Sequence, residues 1–204
     1  MSDAILIPEE MPRLPVGPTA RRGVGWWGVW CLVMTESALF VYLLFSYYYS
    51  AVQFDAGWLP HGHAPSMRLA LPDTIVLLLS SLAMWFGDRG VRRGSRVQNV
   101  AGIGIAIILG AIFVAVQLLE WSGKDFTPRS GEYGSLYYTI TGFHLAHVIA
   151  GLVVLLVVLV WSALGYFNPR RSAPVLIASV YWHFVDVVWL FVFATFYLSP
   201  YAMW

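Results

Sequence analysis

Five long apolar runs, almost free of charge, alternate along the chain with short polar segments rich in Gly and Pro. About 20 apolar residues at 1.5 Å per residue cross the hydrocarbon core of a bilayer. The pattern therefore predicts an all-α integral membrane bundle with helices at about 25–48, 69–86, 98–121, 135–164 and 174–198. The first run opens on Trp26 and Trp27 and closes on Tyr47, Tyr48 and Tyr49, the aromatic belts expected at two membrane interfaces. The second spans 18 residues, and Asp73, following Pro72 near its start, is expected to cap it. Small residues recur every fourth position on the third helix (Gly102, Ala106, Gly110) and on the fourth (Gly142, Ala146, Ala150), predicting close helix contacts.

The segment Met1–Arg22 has no continuous apolar core. It carries Asp3, Glu9, Glu10 and four prolines, so it reads as an extended, disordered cytoplasmic tail and not as a signal peptide. Residues 23–204 then form a single five-helix domain inserted through its own first helix.

Loop charge sets the expected orientation. Arg13, Arg21, Arg22, Arg89, Arg92, Arg93, Arg96, Arg170 and Arg171 fall on one side, against Arg68, Lys124 and Arg129 on the other. Nine basic residues against three place the N-terminus in the cytoplasm and Trp204 outside. Composition agrees with a lipid environment: 59% hydrophobic and 11% charged, where a soluble domain carries about 25% charged residues. No basic run points to nucleic acid. Cys31, the single cysteine, lies in the first helix and is read as a small buried apolar residue, with neither a disulfide nor a thiolate metal site.

Chemistry is confined to a few ionisable residues at membrane depth, which face protein or water because lipid cannot solvate them. Glu36 lies mid-way along the first helix, Glu120 ends the third, His144 and His147 sit on the fourth, and His183 and Asp186 are three apart on the fifth. Counted back from the outer ends, Glu36, His147 and Asp186 each lie twelve residues in, about 18 Å, so they can share one layer. Residue types alone leave four readings open: structural bonding between helices, haem or metal ligation by His144, His147, His183 and Asp186, a proton relay through Glu36, or the substrate layer of a small transporter. His61 and His63 read as a hydrated outer loop.

The stretch Tyr181-Trp182-His183-Phe184-Val185-Asp186-Val187-Val188-Trp189 resembles the last transmembrane helix of subunit III of the haem-copper cytochrome c oxidases. Thr35-Glu36-Ser37 through Phe40, Gln117 through Trp121, Phe126-Thr127-Pro128 through Tyr133-Gly134-Ser135, and Gly142-Phe143-His144-Leu145-Ala146-His147-Val148 resemble further motifs of that family in the same order. The departure is Leu145-Ala146, where the family has Gly-Leu. The resemblance covers the last five of the family's seven helices. It implies a subunit of a proton-pumping terminal oxidase, reducing O2 to water in a bacterial cytoplasmic membrane. Such a subunit carries no haem or copper, binds subunits I and II, holds structural phospholipids and sustains proton uptake. It also implies that Glu36 is proton-linked and that Glu120, His144, His147, His183 and Asp186 form an interhelical network. Quinol oxidases and nitric-oxide-reductase-associated relatives share the form. They often have Asp at the position of Glu36 and Thr at that of Phe143, so both positions favour cytochrome c as donor.

Overall fold

The computed structural model describes residues 23–54, 58–59, 67–169 and 171–203. The expectations for the tail, His61, His63, Arg170 and Trp204 lie outside these residues. Regular structure among the described residues is helical throughout: α1 Val24–Phe54, α2 Met67–Arg92, α3 Arg96–Ser122, α4 Glu132–Ala163 and α5 Ala173–Phe193. A π-helical turn, Ala194–Leu198, and a short α6, Ser199–Met203, prolong α5. All five long helices are long and apolar enough to cross a membrane. Each extends beyond its apolar stretch, because polar residues at a membrane surface cost a helix little.

α2, α3, α4 and α5 close into a ring, each packed on the next and α5 back on α2; α1 lies outside it against α4 and α5. Burial follows this arrangement. α5 contributes Trp182, Val185, Trp189 and Val192 to the core and the π turn adds Phe196 and Tyr197, whereas α1 leaves Trp27, Met34, Val41, Tyr42 and Phe45 exposed. Cys31 is also exposed, not buried as expected, because it lies on the outer face of α1.

α2 and α3 make the closest pair, and the turn between them shows why. Gly94 takes φ 76°, a left-handed conformation that costs glycine nothing. Ser95 then caps α3 by accepting from the Gln98 N–H at 3.4 Å. The two backbones meet at glycines: a β-carbon on Gly102 would lie 2.5 Å from Gly87 Cα, and one on Gly90 would lie 2.7 Å from Asn99 N. The α3 ladder therefore faces inward, with Ala106 buried and Gly110 against the Trp182 ring. The α4 ladder does not: Ala146 and Ala150 are exposed, and α4 instead approaches Trp182 through Gly151.

Asp73 is no helix cap. α2 begins at Met67 and runs through Pro72, so Asp73 falls inside the helix, at 1% exposure. Pro72 is the sixth residue of α2, so the helix gives up the N–H that would bond the Arg68 carbonyl, and Met67, Leu69, Ala70 and Leu71 nonetheless carry it upstream.

Candidate functional site

The ionisable residues of the motifs are dispersed over separate contacts. α1 meets α4 through Glu36, whose Oε2 lies 3.0 Å from His147 Nε2. His147 Nδ1 donates to the Phe143 carbonyl at 2.7 Å, which fixes its proton there. The Tyr181 hydroxyl donates to the His147 carbonyl at 3.3 Å and joins α5 to the same point.

His144, one turn earlier, faces the other way. It is buried at 1% exposure, and its Nε2 donates to the Val185 carbonyl of α5 at 3.2 Å. Its ring packs on Trp189 at 4.9 Å and edge-on to Phe113 at 5.8 Å. The two imidazoles of α4 thus belong to different interfaces.

α5 is held to α2 by a ladder of side chains. His183 Nδ1 lies 2.6 Å from Ser81 Oγ, Trp182 Nε1 donates to Ser80 Oγ at 3.0 Å, and Trp189 Nε1 donates to Thr74 Oγ1 at 3.0 Å. The contacts lie about two helical turns apart on both helices, so one face of α2 reads one face of α5. Asp186 is buried at 3% exposure close to Ser81, but neither carboxylate oxygen has a hydrogen bond. It is on the inward face, with no hydrogen bond to α4 or to the Glu36–His147 pair.

Glu120 lies at the opposite end of α3 from the glycine turn. Its Oε1 accepts from Lys124 Nζ at 2.8 Å and from the Tyr197 hydroxyl of the π turn. Tyr197 is hydrogen-bonded to the Tyr137 hydroxyl of α4 at 3.2 Å. Pro200, which has no N–H to give, follows the widened turn that carries Thr195, Phe196 and Tyr197 inward. At the glycine-turn end, Asp88 pairs with Arg92, and buried Asn99 of α3 donates to Ser162 of α4.

Sequence reasoning passed over Ser80, Ser81, Thr74, Asn99, Ser162 and Tyr197. Each is a small hydroxyl, amide or phenol that is common in membrane helices. Only the rotation of α2 and α3 against α4 and α5 brings it to a partner.

The family model for cytochrome c oxidase subunit III matches residues 17–201. Cytochrome c oxidase subunit 3 of Papio hamadryas is 33% identical over 177 residues, covering 84% of this chain and 68% of the relative. That of Scyliorhinus canicula is 32% identical over 186 residues, 88% and 71% respectively, and that of Drosophila yakuba is 31% identical over 177. The motifs that drew the resemblance are the residues that join the helices here. The chain is a multi-pass membrane protein belonging to the cytochrome c oxidase subunit III family.

Proposed function

We propose that this chain is the cofactor-free subunit III of a proton-pumping haem-copper oxidase that takes electrons from cytochrome c and reduces O2 to water. It packs against subunits I and II in a bacterial cytoplasmic membrane, stabilises the catalytic subunit and sustains its proton uptake. The observation that carries this reading is the use made of the motif histidines. His144, His147 and His183 each have a ring nitrogen engaged at a different helix–helix contact. Paired imidazoles converging on one haem or metal would share a site instead. The Glu36–His147 pair, at 26% and 17% side-chain exposure, is the group best placed to exchange a proton with a neighbouring subunit. An apolar groove of about 390 Å³ between α1, α4 and α5, lined by Gly28, Leu32, Ala150 and Ile177, suits a phospholipid acyl chain.

The test is purification of the native complex through a tag on this chain. The expected preparation has haem-copper oxidase spectra and oxidises reduced cytochrome c. A preparation that oxidises quinol but not cytochrome c overturns the donor, and one without haem overturns the reading.

Orientation follows from the nine-to-three excess of basic residues, with the N-terminus in the cytoplasm and the α3–α4 loop outside. Reporter fusions after Gly94 and after Lys124 are expected to report cytoplasm and exterior respectively. Both fusions on one side would refute this topology.

A further inference from the structure

We propose that the outer face of α2, near its Arg92 end, binds one anionic phospholipid, with the headgroup phosphate held by Arg89 and Arg93 and an acyl chain laid along the apolar lane beneath them. The lane is Leu78, Leu82 and Trp85, exposed at 40%, 61% and 51%. Arg89 and Arg93 continue it at the same helical spacing, and both are exposed. Arg93 follows the last residue of α2 but keeps the helical path, since its N–H bonds the Arg89 and Gly90 carbonyls at 3.2 and 3.1 Å. Side chains four residues apart on a helix start about 5–6 Å from each other, close enough for two guanidinium groups to grip one phosphate. From Leu78 to Arg89 is eleven residues, about 16 Å, which is half of the roughly 30 Å hydrocarbon core and so the depth of one leaflet.

A second contact marks the headgroup level. Arg89 Cζ lies 4.7 Å from the centre of the Trp85 ring. Tryptophan gathers at the membrane–water boundary, so the stacked guanidinium stands at that boundary with part of its freedom already removed.

Charge at this end of the bundle calls for an anion. Residues 86–100 and 160–175 hold six arginines, and Asp88 is their one acid. Asp88 is taken by Arg92, which leaves Arg89 and Arg93 outside any ion pair among the described residues. The α4–α5 loop adds to the positive field because it meets the α2–α3 turn. A β-carbon on Gly94 would lie 3.7 Å from Pro169 Cγ, and one on Gly165 would lie 3.3 Å from Arg96 Nη1. An acidic peptide or free phosphate would use the arginines and leave the apolar lane bare; a phospholipid satisfies both. The groove of α1, α4 and α5 has no charged side chain in its lining, so the two are separate sites.

Photolabelling of the native complex, purified through a tag on this chain and placed in phosphatidylcholine bilayers, tests the proposal. The probes are phosphatidylglycerol and phosphatidylcholine, each carrying a diazirine on one acyl chain and added at the same low mole fraction. Phosphatidylglycerol is expected to label Leu78–Trp85 in excess over phosphatidylcholine, while both label α3 around Ile108 and Ile112 alike. Replacing Arg89→Gln and Arg93→Gln together is expected to lower that excess by roughly fivefold or more, the effect of about one arginine at an anionic membrane surface. The α3 labelling, unchanged, shows that the variant is folded. Excess inorganic phosphate is expected to leave the labelling intact; its loss would show a free-phosphate site and overturn the lipid. Equal labelling by the two probes, or an excess that survives the double substitution, also overturns it. No labelling of α2 by either probe shows that another subunit covers this face, and an excess seen only after removal of Met1–Arg22 shows that the acidic tail occupies it; each result refutes the proposal.

Discussion

A chain ended at Ser172 is expected to be made but not to enter the oxidase complex. The truncation removes α5, the π turn and α6, and with them Trp182, Trp189, Val192, Phe196 and Tyr197, all at 1% exposure or less. It also strips partners from Ser80, Thr74 and Ser81 on α2, from His144 on α4 and from one oxygen of Glu120 on α3. Each such bond is worth only about 0.6 kcal/mol in a membrane, rising to roughly 1.7. The larger loss is the packed face, because α5 closes the ring between α2 and α4 and also supports α1. Blotting the detergent-solubilised complex for this subunit measures the effect. Normal amounts of the truncated chain in the complex would contradict the central place given to α5.

Gly102→Val is expected to cause the largest loss of any single substitution in α3. A β-carbon there would lie 2.5 Å from both Gly87 Cα and Gly87 N and 2.7 Å from the Ala83 carbonyl. Those are backbone atoms, so the helices must separate rather than a side chain turn aside. Overpacking a tight interior costs about 1–3 kcal/mol even for a few added methyl groups, and a tenfold loss of folded subunit needs only about 1.4. Gly104→Val on the same helix meets nothing within 4 Å and serves as the control. Heating each variant in detergent and following the fraction still monodisperse should show Gly102→Val failing well before Gly104→Val. Equal behaviour of the two would mean that α2 and α3 do not meet at this glycine.

The elements were legible in the sequence because hydropathy over twenty residues depends only on the bilayer, and each of the five runs became a helix. The pairing of Glu36 with a histidine at its own depth was likewise within reach of counting along helices. Facing was harder. Gly142, Ala146 and Ala150 have the same spacing as Gly102, Ala106 and Gly110, yet one stripe faces outward and the other inward, since periodicity defines a stripe but not its azimuth. Asp73 was misread for a local reason: Pro72 signals a helix start, but here the apolar residues before it carry the helix on. Asp186 lies on the inward face without a hydrogen bond, and the bond that joins α4 to α5 there runs from His144 to the Val185 carbonyl, one residue earlier. A backbone acceptor leaves no trace in side-chain pattern.

On the function proposed above, this chain supports the oxidase without taking part in electron transfer. The most direct test of this is oxygen consumption per haem, early and late in turnover, in complexes isolated with and without this chain. Near-normal initial turnover that decays much faster in the depleted complex is the predicted result. Complete loss of activity from the first turnover, with the haem-copper spectrum of the catalytic subunit intact, would contradict it.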